Sequence, residues 1–344
     1  LVFHPYESFE AILDFISQAA RDPNVLAIKM TLYRVSGNSS LIHSLMRAAE
    51  AGKQVTVVVE LKARFDEERN IAWAKELEKA GCHVVYGLAG LKTHAKITLV
   101  VRQEHGALER YVHVGTGNYN ENTARQYTDI GLFTSNVQIG EDASVLFNEI
   151  TGYSSPREWQ QIAVAPTGLQ DKLCELIRRE IAWVGKGKPG RIIAKINSLS
   201  SQILVDELYA ASQAGVTIEL IVRGVCCLRP GVPGLSDNIS VISIVDRYLE
   251  HTRLFCFENG GKSDVWLSSA DWMSRNLTRR IELMCPVLDP KLKQHVIRIL
   301  RGSLRDNVKA RRLTEKAVYE RKEILGEAPY RSQFAFNHIH SWKG

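Results

Sequence analysis

A histidine and a lysine stand two residues apart at the start of an apolar run, in the stretch GLKTHAKITLVV that covers residues 90–101. Alternate residues of a β-strand project from the same face, so His94 and Lys96 are expected to point together. An imidazole with a pKa of about 6.5 can act as a neutral nucleophile or a protonated acid, and a nearby cation stabilises negative charge on a phosphoryl oxygen. The pair therefore indicates phosphoryl chemistry, although a single His-x-Lys is also common as a structural or surface feature.

The same arrangement occurs again as His251 and Arg253 in the stretch EHTR. The preceding segments also correspond, because SSLIHSLMRAAEAGKQVTVVVELKAR and SSQILVDELYAASQAGVTIELIVRG each predict a helix that ends at Ala-Gly and leads into a strand. A segment of small residues follows each histidine, GTGNYNENTARQYTDIGL in the first copy and SSADWMSRNLTRRIEL in the second. The sequence therefore predicts two similar lobes that bring both histidines to one cleft.

Two carboxylates, Asp129 and Glu282, occupy matching positions in those segments, and Asn118 matches Asp271. A carboxylate that binds the far nitrogen of an imidazole fixes its tautomer and raises its basicity, so we expect this role for Asp129 and Glu282. An exposed charge or an ordinary ion pair is the alternative. The motif GTGN offers the Thr116 hydroxyl and the Asn118 amide to phosphoryl oxygens, unless it is only a turn.

Composition limits the class of function. The 344 residues are 45% hydrophobic, and 44 Lys and Arg against 38 Asp and Glu give a net charge of +6 and a pI near 8.9. This mild positive charge suits an anionic ligand, and no nucleic acid partner is expected. The scattered cysteines indicate neither a disulfide framework nor a zinc site, and no apolar run approaches the roughly 20 residues of a membrane helix. We expect a cytoplasmic protein without a transmembrane segment.

Other phosphate-handling motifs are excluded. ENGGKSD contains Gly-Lys-Ser, but Cys256 stands where a P-loop needs its first glycine. The sequence has no G-x-S-x-G nucleophile elbow and no protein-kinase motif set. The chain begins without methionine, so we expect a fragment of a longer protein.

Alternating helical and extended patterns predict an α/β protein. The first copy is expected over residues 1–155, ending near ITGYSSP, and the second over 165–310. The stretch DPKLKQHVIRILRGSLRDNVKARRL predicts one long basic amphipathic helix, and residues 311–344 an irregular C-terminal tail. The basic face of this helix is expected to be solvated, with contact to a polyanion as the alternative.

The paired motifs resemble those of the phospholipase D superfamily, which has two copies of H-x-K, each followed by a G-S-x-N-like segment. More narrowly, six stretches are similar, in order, to polyphosphate kinases of the histidine-phosphorylating type: TLYRVSGNS, ELKARFDEERNI, LKTHAKI, HVGTGNYNENTARQYTDIGL, RYLEHTRLFCFENGG and SSADWMSRNLTRRIE. The resemblance covers nearly the whole chain except the C-terminal tail. It implies two duplicated phospholipase D-like α/β sandwich domains that face each other across a central cleft.

The same resemblance implies an activity and its residues. The family transfers the γ-phosphate of ATP reversibly to inorganic polyphosphate through a phosphohistidine. By match to the motifs, His94 would be phosphorylated, and His251 would contact the phosphates and act as acid and base. Four further positions are implied: Arg34 and Arg64, associated with magnesium and phosphate, and Tyr127 and Arg223, which contact the nucleotide.

The resemblance also implies Mg²⁺ as cofactor, ATP or ADP and polyphosphate as ligands, and homo-oligomers formed through N-terminal domains outside this chain. Against the wider superfamily, Val101 stands where an aspartate is expected, Arg253 replaces lysine and Asp271 replaces asparagine. An acidic side chain repels phosphate, so direct phosphate binding by Asp271 is not expected. Two other functions stay open: a phospholipase D-like or nuclease-like phosphodiesterase, and a non-catalytic module that binds polyanions.

Overall fold

The computed structural model describes residues 1–33, 39–60, 67–88, 90–152, 158–322 and 326–341. The helices are α1 (Glu10–Arg21), α2 (Ser40–Glu50), α3 (Glu67–Lys79), α4 (Glu121–Ala124), α5 (Val137–Ile150), α6 (Leu169–Gly185), α7 (Gln202–Gln213), α8 (Ser274–Thr278), α9 (Pro290–Arg305) and α10 (Ser332–Ala335). The strands are β1 (Val2–His4), β2 (Val25–Leu32), β3 (Gln54–Val59), β4 (His83–Val85), β5 (Lys92–Thr93), β6 (Lys96–Glu104), β7 (Ala107–Gly115), β8 (Tyr127–Thr134), β9 (Ala163–Ala165), β10 (Arg191–Ile196), β11 (Thr217–Val222), β12 (Ile239–Ile244), β13 (Leu249–Glu250), β14 (Leu254–Phe257), β15 (Asp264–Ser268), β16 (Arg280–Pro286), β17 (Ala310–Leu313) and β18 (Tyr319–Arg321). Within these ranges no helix combines the length and the apolar character needed to cross a membrane.

The first sheet has the strand order β1-β8-β7-β6-β2-β3-β4. Strands β2, β3 and β4 run parallel, while β6, β7 and β8 form an antiparallel meander beside β2. The sequences VLAIKMTL and QVTVVV of β2 and β3 are rich in β-branched residues, which suits parallel strands covered by helices. Ile16 of α1 and Leu45 of α2 belong to the same core cluster as Ile28 and Val57 of these strands.

The second sheet repeats this plan. Its order β11-β10-β14-β15-β16 matches β3-β2-β6-β7-β8 of the first sheet, with the same strand directions. The short strands β1 and β9 also correspond, since each pairs antiparallel with the last strand of its meander. The structure therefore confirms the duplication that the sequence predicted, two α/β lobes of equivalent topology.

Two short strands cross between the lobes. Strand β5 leaves the first lobe and pairs in parallel with β16, with Lys92 opposite Arg280 and Thr93 opposite Ile281. Strand β13 leaves the second lobe and pairs in parallel with β8, with Glu250 opposite Thr128. Each crossing strand comes immediately before one of the two histidines. The exchange therefore delivers each histidine to the last strand of the opposite sheet.

A single core joins the lobes. Phe147 of α5 and Leu300 of α9 lie in one buried cluster with Ile97 of the first sheet and Leu267 of the second. Burial of apolar side chains stabilises by about 25 cal/mol per Å², so a shared core of this kind holds the two sheets in a fixed relation. The cleft geometry is set by this packing.

The basic helix is shorter than the sequence predicted. Asp289 caps its N-terminus by accepting from the backbone N–H groups of Lys291 and Leu292 at 2.8 and 2.9 Å, and the helix ends at Arg305. The buried carboxylate of Asp306 then accepts from the N–H groups of residues 308–310 and turns the chain into β17. Because β17 pairs with β12, this part of the predicted tail belongs to the second sheet.

Candidate active site

His94 lies between β5 and β6 and is bound by a carboxylate of the other lobe. Its Nδ1 is 2.9 Å from Oε2 of Glu282 on β16. The backbone N–H groups of His94 and Ala95 both donate to the Ile281 carbonyl at 2.9 Å, so the crossing strand fixes the ring beside Glu282. His94 is 9% exposed and Glu282 is fully buried.

Both carboxylate oxygens of Glu282 accept hydrogen bonds from neighbouring side chains. The Ser269 hydroxyl donates to Oε2 at 2.5 Å and the Asn276 amide donates to Oε1 at 2.9 Å. Burial raises the pKa of Glu282 to about 7, although the charge of Lys96 and the hydrogen bond from Ser269 act against it. Burial, and then the charges of Lys96 and Arg253, hold the pKa of His94 well below its usual value. His94 is therefore neutral, and when Glu282 is ionised the ring donates from Nδ1 and keeps a lone pair on Nε2.

His251 is bound in the same way by Asp129 of the first lobe. Nδ1 lies 2.9 Å from both carboxylate oxygens of Asp129. Burial alone would raise the pKa of Asp129, but the charge and hydrogen bond of His251, together with Thr116 and Arg253, hold it below its usual value. Burial lowers the pKa of His251, and the Asp129 charge opposes that effect. This carboxylate is ionised across the neutral pH range.

Thr116 is buried and supports Asp129. Its hydroxyl is fully buried and donates to Oδ1 of Asp129 at 2.6 Å. The expectation that this hydroxyl binds phosphoryl oxygens is therefore corrected, because its hydrogen is already used behind the His251 pair. Gly117 allows this close approach, since a Cβ at that position would lie 2.3 Å from Oδ2 of Asp129.

The two carboxylates expected from the sequence are thus both in place, but the pairing is crosswise. Asp129 follows His94 in the chain yet binds His251, and Glu282 follows His251 yet binds His94. A charged His251 lowers the pKa of His94, so the two half-sites are electrostatically coupled. Both histidines bind a carboxylate across the boundary between the lobes, where the duplicated motifs predict one shared site.

The two cations differ in their surroundings. Lys96 is 1% exposed, its ammonium donates to the His94 carbonyl, and burial lowers its pKa to about 7 against the opposing charge of Glu282. Arg253 donates to Asp271 at 3.2 and 3.3 Å, and its Nη1 reaches Nε2 of His251 at 3.2 Å. Arg253 also donates to the Thr116 carbonyl of the first lobe at 3.3 Å. It therefore links both halves of the site.

Asp271 forms an ion pair with Arg253. Besides the guanidinium, its Oδ1 accepts from the backbone N–H of Asn197 at 2.8 Å. Burial alone would raise the pKa of Asp271, but Arg253 lowers it to about 2. An ionised aspartate paired with an arginine agrees with the expectation that this residue does not itself bind phosphate.

A groove of about 670 Å³ opens beside the His251 half of the site. It is lined by Tyr127 and Arg223, both implied by the resemblance, and by Arg125, Arg247 and other side chains. The Tyr127 ring centroid is 5.2 Å from that of His251. The lining of the groove therefore combines three arginines with the carboxylates of Asp246 and Glu250, whereas a larger cavity of about 990 Å³ is lined by other residues, including Trp159 and Trp266.

Arg34 and Arg64 lie outside the described residues. Asn118 lies beside the site, and within the described ranges its side-chain oxygen is buried and has no hydrogen-bond partner. The part of the chain that the structure describes contains no group of three or more His, Cys, Asp or Glu side chains that could hold a metal ion. The carboxylates of the site are committed to histidine or arginine, so these residues do not form a protein site for Mg²⁺.

Several residues of the site were not identified from the sequence. Tyr33 stands edge-on to His94, with ring centroids 5.2 Å apart and planes at 88°. Ser269 and Asn276 bind Glu282, and Lys195 binds residues beside His251. Polar residues of these kinds have no distinctive spacing, and only the positions of Ser269 and Asn276 in the segment after the second histidine offered a signal.

The fold and the two half-sites define a class. The phosphatidylserine synthase of Haemophilus influenzae superimposes with a TM-score of 0.59 at 11% identity, over 97% of this chain and 92% of its own. At that identity the likeness concerns the fold alone, a duplicated α/β fold.

The family is narrower than this class. Polyphosphate kinase C-terminal domain 1 matches residues 1–156, and Polyphosphate kinase C-terminal domain 2 matches residues 162–333. The polyphosphate kinase of Halalkalibacterium halodurans is 54% identical over 334 residues, which are 97% of this chain and 47% of that protein. The crystal structure of polyphosphate kinase from Porphyromonas gingivalis superimposes with a TM-score of 0.93 at 42% identity, over 99% of this chain and 52% of its own. The chain belongs to the polyphosphate kinase family and spans about half the length of the relatives it matches.

Proposed function

We propose that this chain carries the catalytic centre of a polyphosphate kinase, which transfers the γ-phosphate of ATP reversibly to inorganic polyphosphate through a phosphohistidine at His94. The observation that carries the proposal is the neutral His94, whose Nδ1 is held by Glu282 so that Nε2 is the nitrogen that can attack. Membership of the polyphosphate kinase family supports the choice of substrates.

In the first step, the lone pair on Nε2 of His94 forms a bond to the γ-phosphorus of ATP while the bond from that phosphorus to the β,γ-bridging oxygen breaks. ADP leaves with that electron pair. The imidazole becomes positively charged as the N–P bond forms, and ionised Glu282 stabilises that charge through Nδ1–H. Lys96 and Arg253 stabilise the charge on the transferred phosphoryl oxygens.

In the second step, a terminal oxygen of polyphosphate attacks the phosphorus and the bond to Nε2 breaks, which returns His94 to its neutral form. His251 contributes as a hydrogen-bond donor to phosphate oxygens when it is protonated, and Asp129 favours that state. Tyr127 and Arg223 position the nucleotide along the groove beside His251. Transfer between phosphates depends mainly on such positioning and charge stabilisation.

The remaining partners belong to the same proposal. Mg²⁺ would enter with the nucleotide, since this ion commonly binds to nucleotide phosphates, and it would neutralise part of their charge. ATP or ADP and polyphosphate are the ligands, and oligomers form through parts of the relatives that this chain does not span. All six cysteines are free thiols, which is typical of proteins of the cytoplasm.

The test is polyphosphate synthesis from ATP by His94→Ala, with His83→Ala as the control. His83 is another histidine, but it lies exposed on β4. We expect synthesis to be lost in His94→Ala and retained in His83→Ala. Normal synthesis by His94→Ala would reject the phosphohistidine route.

The phosphodiesterase alternative is tested in the same preparations. Hydrolysis of a generic phosphodiester without ATP would favour it, and the Arg253–Asp271 pair argues against that activity because an anion beside the guanidinium repels a diester phosphate. The module that only binds polyanions predicts polyphosphate binding that survives loss of both histidines and no transfer in any preparation.

A further inference from the structure

Lys195 of β10 binds both neighbours of His251. Its ammonium lies 2.5 Å from Oε2 of Glu250 and 2.6 Å from the hydroxyl of Thr252. Lys195, Glu250 and Thr252 are 2%, 5% and 1% exposed, so the contacts are shielded from water. A buried cation that holds the residues on either side of His251 restrains the backbone from which the imidazole projects.

Gln333, in the C-terminal part of the chain, also contacts Glu250. The Gln333 side chain donates to Oε1 of Glu250 at 2.6 Å and to the Tyr248 carbonyl at 2.8 Å, while its oxygen accepts from the Tyr248 N–H at 2.9 Å. Gln333 is 1% exposed. It therefore pairs with Tyr248 as a neighbouring strand would and fixes the chain just before His251.

The segment that carries Gln333 is itself anchored. Arg331 forms a bidentate pair with Asp246, with its Nε at 2.8 Å from Oδ2. The backbone N–H and the hydroxyl of Ser332 both donate to Oδ2 of Asp306 at 2.7 Å. These contacts attach residues 331–333 to the loop before β13 on one side and to the end of α9 on the other.

The first lobe contributes a third contact to Glu250, through Thr128. The Thr128 hydroxyl accepts from the His251 N–H at 3.2 Å and lies 3.2 Å from Oε2 of Glu250. Thr128 is adjacent to Asp129, which binds the His251 ring. Glu250 is therefore the point at which three segments meet: β10 through Lys195, the C-terminal segment through Gln333 and β8 through Thr128.

Stability alone does not account for this cluster. A buried ion pair is often no more stabilising than apolar side chains of the same volume, because the desolvation cost offsets the attraction. Such a pair does fix one arrangement of its surroundings, since any shift leaves a buried charge without its partner. Its location around His251 makes that residue the one whose position it determines.

We infer that Lys195 and Gln333 are positioning residues for His251, so that the C-terminal segment from Arg331 to Gln333 is part of the working active site. The role assigned to His251 rests on the proposed function. A displacement of about 1 Å at a reacting group lowers rates by about 100-fold, so loss of either contact should reduce turnover without unfolding the protein.

The test uses Gln333→Leu and a matched pair at Thr252, Thr252→Val, which removes the hydroxyl, and Thr252→Ser, which keeps it. Glu180→Gln is the control for general destabilisation, because Glu180 is fully buried in the second lobe and accepts from the backbone of Asn259 at 2.9 Å. The first readout is kcat for polyphosphate synthesis. We expect a decrease of roughly tenfold or more in Gln333→Leu and Thr252→Val. Thr252→Ser should recover most of the loss, and Glu180→Gln should keep kcat.

The second readout does not depend on activity. Diethyl pyrocarbonate acylates unprotonated imidazole, and the side chains of His94 and His251 are similarly exposed at 11% and 12%. In Gln333→Leu and Thr252→Val, mass spectrometry should show His251 modified roughly tenfold faster, with His94 unchanged. Equal acceleration of both histidines, or of neither, would overturn the inference.

Failure of the proposed function gives a different pattern. A wild-type protein that forms no polyphosphate and no phosphohistidine would reject that function, whereas the ratio of the two modification rates would still report whether Lys195 and Gln333 hold His251. A wild-type protein that is active, with variants of unchanged kcat and unchanged modification, would reject the positioning role alone.

Discussion

Each half-site contains a histidine bound by a carboxylate of the other lobe, but the charged groups of the two halves ionise differently. Around His94, burial brings the pKa values of both Lys96 and Glu282 to about 7, so this half can lose its charges. Around His251, Arg253 is paired with Asp271, and Asp129 has a pKa below its usual value. The comparison shows that a duplicated fold can supply a neutral histidine on one side and fixed charges on the other.

The largest effect is expected from the crosswise carboxylates. Glu282→Gln removes the anion that stabilises the His94 ring as it becomes charged, so phosphorylation of His94 should slow by about 10²- to 10⁴-fold. Asp129→Asn should leave that first step less affected, because Asp129 binds His251. Rapid-quench labelling with γ-labelled ATP measures both rates. A slow first step in Asp129→Asn with a normal one in Glu282→Gln would show that the pairing is assigned the wrong way round.

The pH dependence of the same step sharpens the comparison. Below a pH of about 7, the raised pKa of Glu282 leaves its carboxyl protonated, and it then donates to Nδ1 so that the His94 proton moves to Nε2 and blocks attack. The labelling rate should therefore fall by about tenfold per pH unit as the pH drops below about 7. Glu282→Gln should lose this dependence and thereby control for titration of ATP. A wild-type rate that is flat or rises toward acid would contradict the account.

The alkaline side of that profile depends on Lys96. Its pKa is lowered to about 7 by burial, so in the free enzyme the charge is lost as pH rises and the rate should fall again. Because Glu282 and Lys96 interact, the two apparent values belong to the pair. Lys96→Arg keeps a charge above pH 7 and should remove the alkaline decline, even if the larger head group lowers the maximum rate. An unchanged decline would assign that limb to another group.

A smaller effect is expected from Gly117→Ala, which acts on the His251 half alone. The new Cβ would meet the Asp129 carboxylate, so overpacking should cost about 1–3 kcal/mol of stability and displace the His251 partner. Gly185→Ala is the control, because a Cβ at that helical position has no atom within 4 Å apart from its chain neighbours and the backbone of its own helix. Thermal unfolding and steady-state turnover measure the outcome. Equal behaviour of the two variants would count against the close contact.

The smallest effect is expected from Asp271→Asn. The amide still accepts from Asn197 but no longer neutralises Arg253, so binding of tripolyphosphate should tighten by about threefold to tenfold, as expected for removing one repelling charge. Isothermal titration measures the affinity, and Asp237→Asn, an exposed residue in a distant turn, is the control. Weaker binding in Asp271→Asn would mean that Asp271 holds Arg253 in its binding geometry.

Much of the fold was predictable because local sequence patterns indicate where its helices and strands lie. Apolar periodicity and the Ala-Gly helix ends located the elements of both lobes, and repetition of His-x-Lys with a later carboxylate revealed the duplication. The helix end at Arg305 was missed because its basic pattern continues beyond the turn made by Asp306. An amphipathic pattern gives no sign that a buried carboxylate such as that of Asp306 binds the backbone N–H groups after it and ends the helix.

The crosswise pairing could not be predicted from the sequence. It depends on β5 and β13, which are two residues long and have no periodicity, and on a shared core that fixes the lobes relative to each other. The role of Thr116 was missed for a similar reason, since a hydroxyl in a Gly-rich turn can face a ligand or a carboxylate. The expectations for Arg34 and Arg64 remain predictions.

The central claim is that the two histidines have different roles, with His94 as the nucleophile and His251 as a group that contacts the phosphates. The most direct test is mass-spectrometric localisation of the acid-labile phosphate after a single turnover with ATP. The account predicts phosphate on His94 and none on His251, and the same site of labelling in an active Lys96→Arg variant. Phosphate on His251, or an equal division between the two histidines, would contradict it.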